Sequence, residues 1–170
     1  MTTLATSWIS SQWETTTAAA IAAVVVMLVA QRASARMGMW PYALFSLPGT
    51  LAHEFAHFAT AVLLLASPRF PQVWPVRTED GWRLGSVTFS AGMLRAVPIA
   101  MAPLVLLPIS LYWSAEWVSS SAGWRFWAHA WFAATLLNGS LPSRADFNLT
   151  FPALFVAVVL VLGTLVFFSQ

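Results

Sequence analysis

Five consecutive residues concentrate the chemistry of this chain: His53-Glu54-Phe55-Ala56-His57. On a helix, residues at i and i+4 leave from one face, so both imidazoles can converge on one metal ion while Glu54 reaches a water held there. In a chain of this composition an H-E-x-x-H is expected by chance about once in 800 sequences. The surrounding residues are apolar, and a central acidic side chain in a membrane helix costs roughly 2.5–3.5 kcal/mol on insertion scales, so it needs a partner or a task. The competing role is structural, with both His bonded to neighbouring helices and Glu54 paired with an Arg.

A catalytic zinc takes three protein ligands and keeps a fourth position for water, so a third ligand must come from elsewhere. The chain has no Cys, three His and six acidic residues, which removes thiolates and leaves few candidates. Glu79 and Asp80 fall in a predicted hairpin turn and read as a solvated tip, and Glu116 lies between Trp113 and Trp117 at an interface. His129, inside an apolar segment, would complete a three-His set; its structural role would be a hydrogen bond to a neighbouring helix. Asp146 follows a helix break between two apolar segments, where non-helical backbone is tolerated only if it lines a protein-enclosed cavity. Its structural role would be an N-cap or an ion pair with Arg144. On the residues alone Asp146 is the stronger candidate, and His129 stays open as the alternative.

The elements that must position these groups are membrane elements. Of 170 residues, 59% are hydrophobic and 8% charged, where a soluble domain averages roughly 25% charged, which excludes an ordinary soluble fold. Eight Arg against six acids give a net charge of +2, too little for a nucleic-acid face, so no nucleic acid is expected as a partner. Ten Trp sit mostly near the ends of apolar runs, as rings at the headgroup level of a lipid bilayer do. Residues 1–14 lack the basic start of a secretory signal peptide. The expected fold is an all-α polytopic membrane protein, one membrane domain over 1–170. About five transmembrane helices are expected, at about 15–30, 48–66, 91–113, 124–138 and 151–168, with a short β-hairpin at 72–90 between the second and third. Pro48 suits the first turn of the second helix, and Pro98, Pro103 and Pro108 are expected to kink the third. In the hairpin, Asp80-Gly81 is the turn signal, which would set Trp74 opposite Val87, and Pro75 confines its strand to an edge.

His53-Glu54-Phe55-Ala56-His57 in a membrane helix, followed by Asn138 to Asp146, resembles the site-2 protease family of intramembrane zinc metalloproteases. That family pairs H-E-x-x-H with a later Asn-x-x-Pro-x-Pro-x-Leu-Asp-Gly segment whose Asp is the third ligand. The Asn-to-Asp spacing of eight is kept here; Pro142 is displaced by one position, Ala145 stands where Leu is usual, and Phe147 replaces the Gly. The resemblance covers about 48–151 and implies Zn2+ held by His53, His57 and Asp146, with Glu54 as the catalytic base and Asn138 binding substrate backbone. It further implies a multi-pass protein of a bacterial cytoplasmic (inner) membrane acting on a membrane-protein or peptide substrate.

The expected function is therefore a zinc endopeptidase that cuts a peptide bond in or near a transmembrane segment. Zinc would lower the pKa of its water and polarise the carbonyl, and Glu54 would move the proton to the leaving amine. A substrate must be extended at the cut, and an edge strand within 72–90 could hold it by strand addition. Two other classes remain: a catalytically silent relative that binds a membrane partner, which has no need of Glu54, and a membrane metal-binding or transport protein. A transporter would spread polar residues along several spans, whereas this chain gathers them at one depth.

Overall fold

The computed structural model describes residues 2–78, 81–152, 155 and 164, with side chains from residue 16 onward. Helix α1 (Thr2–Ser34) runs into a short 3-10 turn and stops at Gly38, whose φ of +124° is open only to glycine without strain. Helix α2 (Met39–Leu63) follows directly. An antiparallel ribbon, with β1 (Val76–Thr78) and β2 (Gly81–Arg83) at its tip, leads to α3 (Met93–Met101). A 3-10 turn over Ala102–Val105 joins α3 to α4 (Leu106–Trp113), and a π-helical turn (Ser114–Val118) precedes α5 (Gly123–Gly139). Residues 144–152 begin a further helix.

Helix α5 is central: α1, α2 and α4 all pack on it. Its contact with α1 is made by small side chains, Ala20, Ala23 and Val24 against Ala130, Ala133 and Ala134, closed at one end by Val118. Small side chains let helix backbones approach closely, which is how helices associate where the surroundings are as apolar as their own side chains. The crossing of α2 and α5 is tighter still. A Cβ added to Gly49 would collide with the Thr135 carbonyl, its oxygen first and its carbon at 2.6 Å, and one added to Gly139 would stand 2.5 Å from the Gly49 oxygen. Gly49, His53 and His57 recur at four-residue intervals, so the stripe that carries the imidazoles begins at the crossing point.

Two helices among the described residues are long and apolar enough to cross a membrane, Thr16–Met37 and Met93–Val118. This corrects the expected fold class of about five spans. The expected 48–66 helix exists as part of α2, but His53, Glu54 and His57 dilute its apolar character. The expected 124–138 helix is α5, whose 17 residues extend about 25 Å at 1.5 Å per residue, short of a ~30 Å hydrocarbon layer. The expected 151–168 span lies almost wholly outside the described residues. The Met93–Val118 run is interrupted at Pro103, by a 3-10 turn, whereas Pro98 and Pro108 stand inside α3 and α4. Pro48, by contrast, does not open a helix; α2 starts nine residues earlier, after Gly38, and runs through it. One turn before Pro48, the Phe45 carbonyl accepts a hydrogen bond from Trp131 Nε1 at 3.0 Å, the cross-helix support that a proline-bearing helix uses.

The ribbon is longer than its two strands. Backbone bonds pair Ser90 with Ala66, Arg69 with Thr88, and Gln72 with Ser86 in both directions. At the tip the register is Val76↔Arg83, Arg77↔Trp82 and Thr78↔Gly81, not the one that sets Trp74 against Val87. Gly81 stands in the ladder at φ +122° and its carbonyl accepts from Thr78 Oγ1, which moves the connection back to Glu79 and Asp80, both outside the described residues. Between Gln72↔Ser86 and Val76↔Arg83 the first strand has one residue more than the second. This bulge contains Pro75, which has no N–H to pair.

The crossing predicts that Gly49→Ala lowers the thermal unfolding temperature in detergent, because the obstructing atoms belong to the Thr135 backbone. The expected cost is at least the roughly 1–3 kcal/mol of ordinary overpacking. Gly92→Ala, with nothing within 4 Å of the new Cβ, should stay within about 0.5 kcal/mol of the parent.

Candidate metal centre

His53 and His57 are each gripped by a backbone carbonyl from another helix. His53 Nδ1 lies 2.7 Å from the carbonyl oxygen of Gly139, at the end of α5, and His57 Nδ1 lies 2.8 Å from that of Ile99, in α3. A carbonyl can only accept, so both Nδ1 atoms carry protons and a neutral ring presents its Nε2 lone pair. The two Nε2 atoms are 3.1 Å apart and face each other. Asp146 completes the group: its Oδ1 is 3.4 Å from His57 Nε2 and its Oδ2 is 3.7 Å from His53 Nε2. Two lone pairs and a carboxylate at these distances repel one another unless a cation, proton or metal, sits among them.

Asp146 is set by its own helix start. Ser143 N–H donates to Asp146 Oδ2 at 2.7 Å, and Asp146 N–H donates to Ser143 Oγ at 3.2 Å, the reciprocal pair of a capping box. Burial alone would raise the pKa of this carboxyl, but its interaction with His57 and the bonds from Ser143 outweigh that and hold it below the ordinary value. Ser143 is thus the N-cap and Asp146 its capping-box partner three residues on, and the same Asp146 side chain reaches both imidazoles.

The geometry fits a tetrahedral ion. Bonds of about 2.0–2.1 Å to N and O at tetrahedral angles put neighbouring donor atoms about 3.4 Å apart; the two Nε2 atoms at 3.1 Å and the His57 Nε2–Asp146 Oδ1 pair at 3.4 Å lie near that value, and the 3.7 Å from His53 Nε2 runs to the other carboxylate oxygen, Oδ2. Three donors, two nitrogen and one oxygen, leave one position open. His53, His57 and Asp146 could hold a metal ion, each offering one ligand atom with all of these within 4.8 Å. The backbone carbonyls behind the imidazoles are the outer partners that metal-binding His residues normally have.

The other expected residues fall as follows. Glu54 is 6% exposed and His57 5%, so neither meets bulk solvent, and Glu54 is electrostatically coupled to both His57 and Asp146. Its carboxylate lies against Gly85 of the ribbon. His129 does not join the group; its ring packs against Trp113 and Trp117 at centroid distances of 5.7 and 6.0 Å. Asn138 stands beside Gly139, and its Oδ1 accepts from Arg32 Nη2 of α1 at 3.3 Å. Sequence reasoning missed Gly139 and Ile99, which act through main-chain oxygens, and Ser143, for which Ser-x-x-Asp was an available signal. It also missed Gly49 and Gly85, which act by having no side chain.

Comparison with protein-family models, with curated proteins and with solved structures finds no match to the chain.

Zinc content of purified variants checks the ligand set. Asp146→Ala should lose stoichiometric zinc, and His129→Ala should retain it. Ser143→Ala keeps the main-chain N–H that donates to Asp146 Oδ2 and loses only the Oγ that accepts from Asp146 N–H, so it should retain stoichiometric zinc and cost about 1 kcal/mol of stability, the usual cost of a lost N-cap.

Proposed function

We propose that the protein is a membrane-embedded zinc metalloendopeptidase, with His53, His57 and Asp146 as metal ligands and Glu54 as the catalytic base. One observation carries the reading: the two Nε2 atoms and the Asp146 carboxylate converge while both Nδ1 atoms are occupied by carbonyls. Two neutral imidazoles that face each other through their lone pairs, with a carboxylate beside them, repel unless a positive charge lies among them, and a metal ion held by three side chains supplies it. The presence of Glu54 between the ligands favours an enzyme over a metal carrier, because binding alone does not need that carboxylate.

When bound, zinc supplies Lewis acidity that polarises a scissile carbonyl and makes water a nucleophile near neutral pH. The protein's own groups do the rest. Glu54, buried and close enough to couple to His57 and Asp146, takes a proton from the attacking water and delivers it to the departing amine nitrogen. Gly139 and Ile99 keep both imidazoles in the tautomer that leaves Nε2 free. The peptide must enter extended, since a helix shields its own carbonyls, and the ribbon at 72–90 offers backbone groups for strand pairing. Asn138, held by Arg32, stands next to the centre as a further contact for substrate backbone.

The membrane part of the reading rests on Thr16–Met37 and Met93–Val118 and on the low charge of the whole chain. A multi-pass placement in a bacterial inner membrane, and a membrane protein or peptide as substrate, follow from the site-2 protease resemblance.

The test is Glu54→Gln in purified protein. It should keep zinc at parental stoichiometry while cleavage of labelled casein, an unfolded probe, falls by a factor on the order of 10²–10⁴. Chelation of the parent should abolish cleavage and added zinc restore it. Zinc lost from Glu54→Gln, or cleavage undiminished in it, would contradict the role given to Glu54.

A further inference from the structure

Gly85 lies four residues beyond Gly81 in the ribbon, yet its surroundings are those of the metal centre. A Cβ built on it would stand 2.7 Å from both Cγ and Cδ of Glu54, and its nearest contact would be Glu54 Oε1. Gly85 has no left-handed backbone angle, so its glycine is not explained by a turn. What this position requires is space.

The ribbon cannot give that space by retreating. Ser86, the next residue, exchanges two backbone bonds with Gln72, at 2.8 and 3.0 Å. Below it the Arg69–Thr88 bond and the Ser90–Ala66 bond root the ribbon on fully buried Ala66. Moving Gly85 outward would break a ladder bond on each side of it, whereas the end of a Glu side chain moves at the cost of a rotamer. Glu54 is therefore the group that yields. The metal ligands stand apart from this contact, because their positions are set by Gly139, Ile99 and Ser143.

We propose that Gly85 is a positioning residue for Glu54: its missing side chain lets the ribbon backbone close on the carboxylate and fix the orientation in which it serves as base. The proposal rests on the metalloendopeptidase reading for its catalytic consequence but not for the contact itself. It makes the ribbon a part of the catalytic apparatus, coupled to the base through a single backbone position.

The experiment compares the parent with Gly85→Ala, as full chains in detergent. In zinc-free protein labelled with 13Cδ-glutamate the spectrum has a resonance for each of Glu14, Glu54, Glu79 and Glu116, and Glu54→Gln assigns the one that matters. Gly85→Ala should shift the Glu54 resonance and leave those of Glu14 and Glu116 in place. Loaded with zinc, it should keep parental stoichiometry, lose at least tenfold in kcat on labelled casein, and hold KM within twofold. An unmoved Glu54 resonance, kcat within twofold of the parent, or loss of zinc would each overturn the proposal. If Gly85→Ala does not fold, the double variant with Glu54→Asp, one methylene shorter, should fold; failure of both would place the strain in the ribbon and overturn it as well. A parent that cleaves nothing while its Glu54 resonance shifts in Gly85→Ala would refute the metalloendopeptidase reading and leave the contact standing.

Discussion

Two main-chain carbonyls hold the centre together. Gly139 O and Ile99 O each take the Nδ1 proton of one imidazole, and that choice of tautomer turns both Nε2 lone pairs inward. Everything else in the site follows from where those carbonyls are. The first is available because α5 ends at Gly139 and because Gly49 lets the α2 backbone approach to the distance at which one turn later His53 meets that end. The second is available because α3, carrying fully buried Ile99, lies along the same stripe of α2 one turn further on. The stripe Gly49, His53, His57 thus meets a backbone, a helix end and a second helix in succession.

The energetic logic is that of a charge site built in an apolar setting. An unpaired imidazole or carboxylate removed from water costs several kcal/mol, and here each polar atom has an assigned partner: Nδ1 a carbonyl, Asp146 Oδ2 the Ser143 N–H, and the remaining donors one another. That last set is balanced only by a positive charge in its midst. A proton shared among the three would satisfy it, as would a metal ion held by all three. The ribbon adds the remaining wall, placing its backbone at Gly85 against the buried Glu54 carboxylate.

What could be read from the sequence was what depends on local spacing. His53, Glu54 and His57 share a helix, so their juxtaposition follows from 3.6 residues per turn. Asp146 is the stronger candidate from the sequence because a helix break between apolar segments needs a reason, and the family resemblance points to the same residue, but neither places His129. The stacking of His129 with Trp113 and Trp117 is a tertiary fact. Gly139 and Ile99 act through atoms that every residue possesses, so no residue type announces them. The number of spans was overread because apolar runs at 48–66 and 124–138 were measured by composition; packing around α5 uses them as helices of a core in which α5 is too short to span. The ribbon register differs by two residues from the one an Asp80-Gly81 turn predicts, because Gly81 serves in the ladder.

The central claim is that two imidazoles and one carboxylate converge on zinc. X-ray absorption at the zinc edge of the purified, unmodified chain tests it most directly. The account predicts a four-coordinate zinc with a first shell of only nitrogen and oxygen at about 2.0–2.1 Å and the outer-shell scattering of two imidazole rings. A protein that takes up no stoichiometric zinc, or a zinc whose spectrum carries scattering from one imidazole or three, would contradict it.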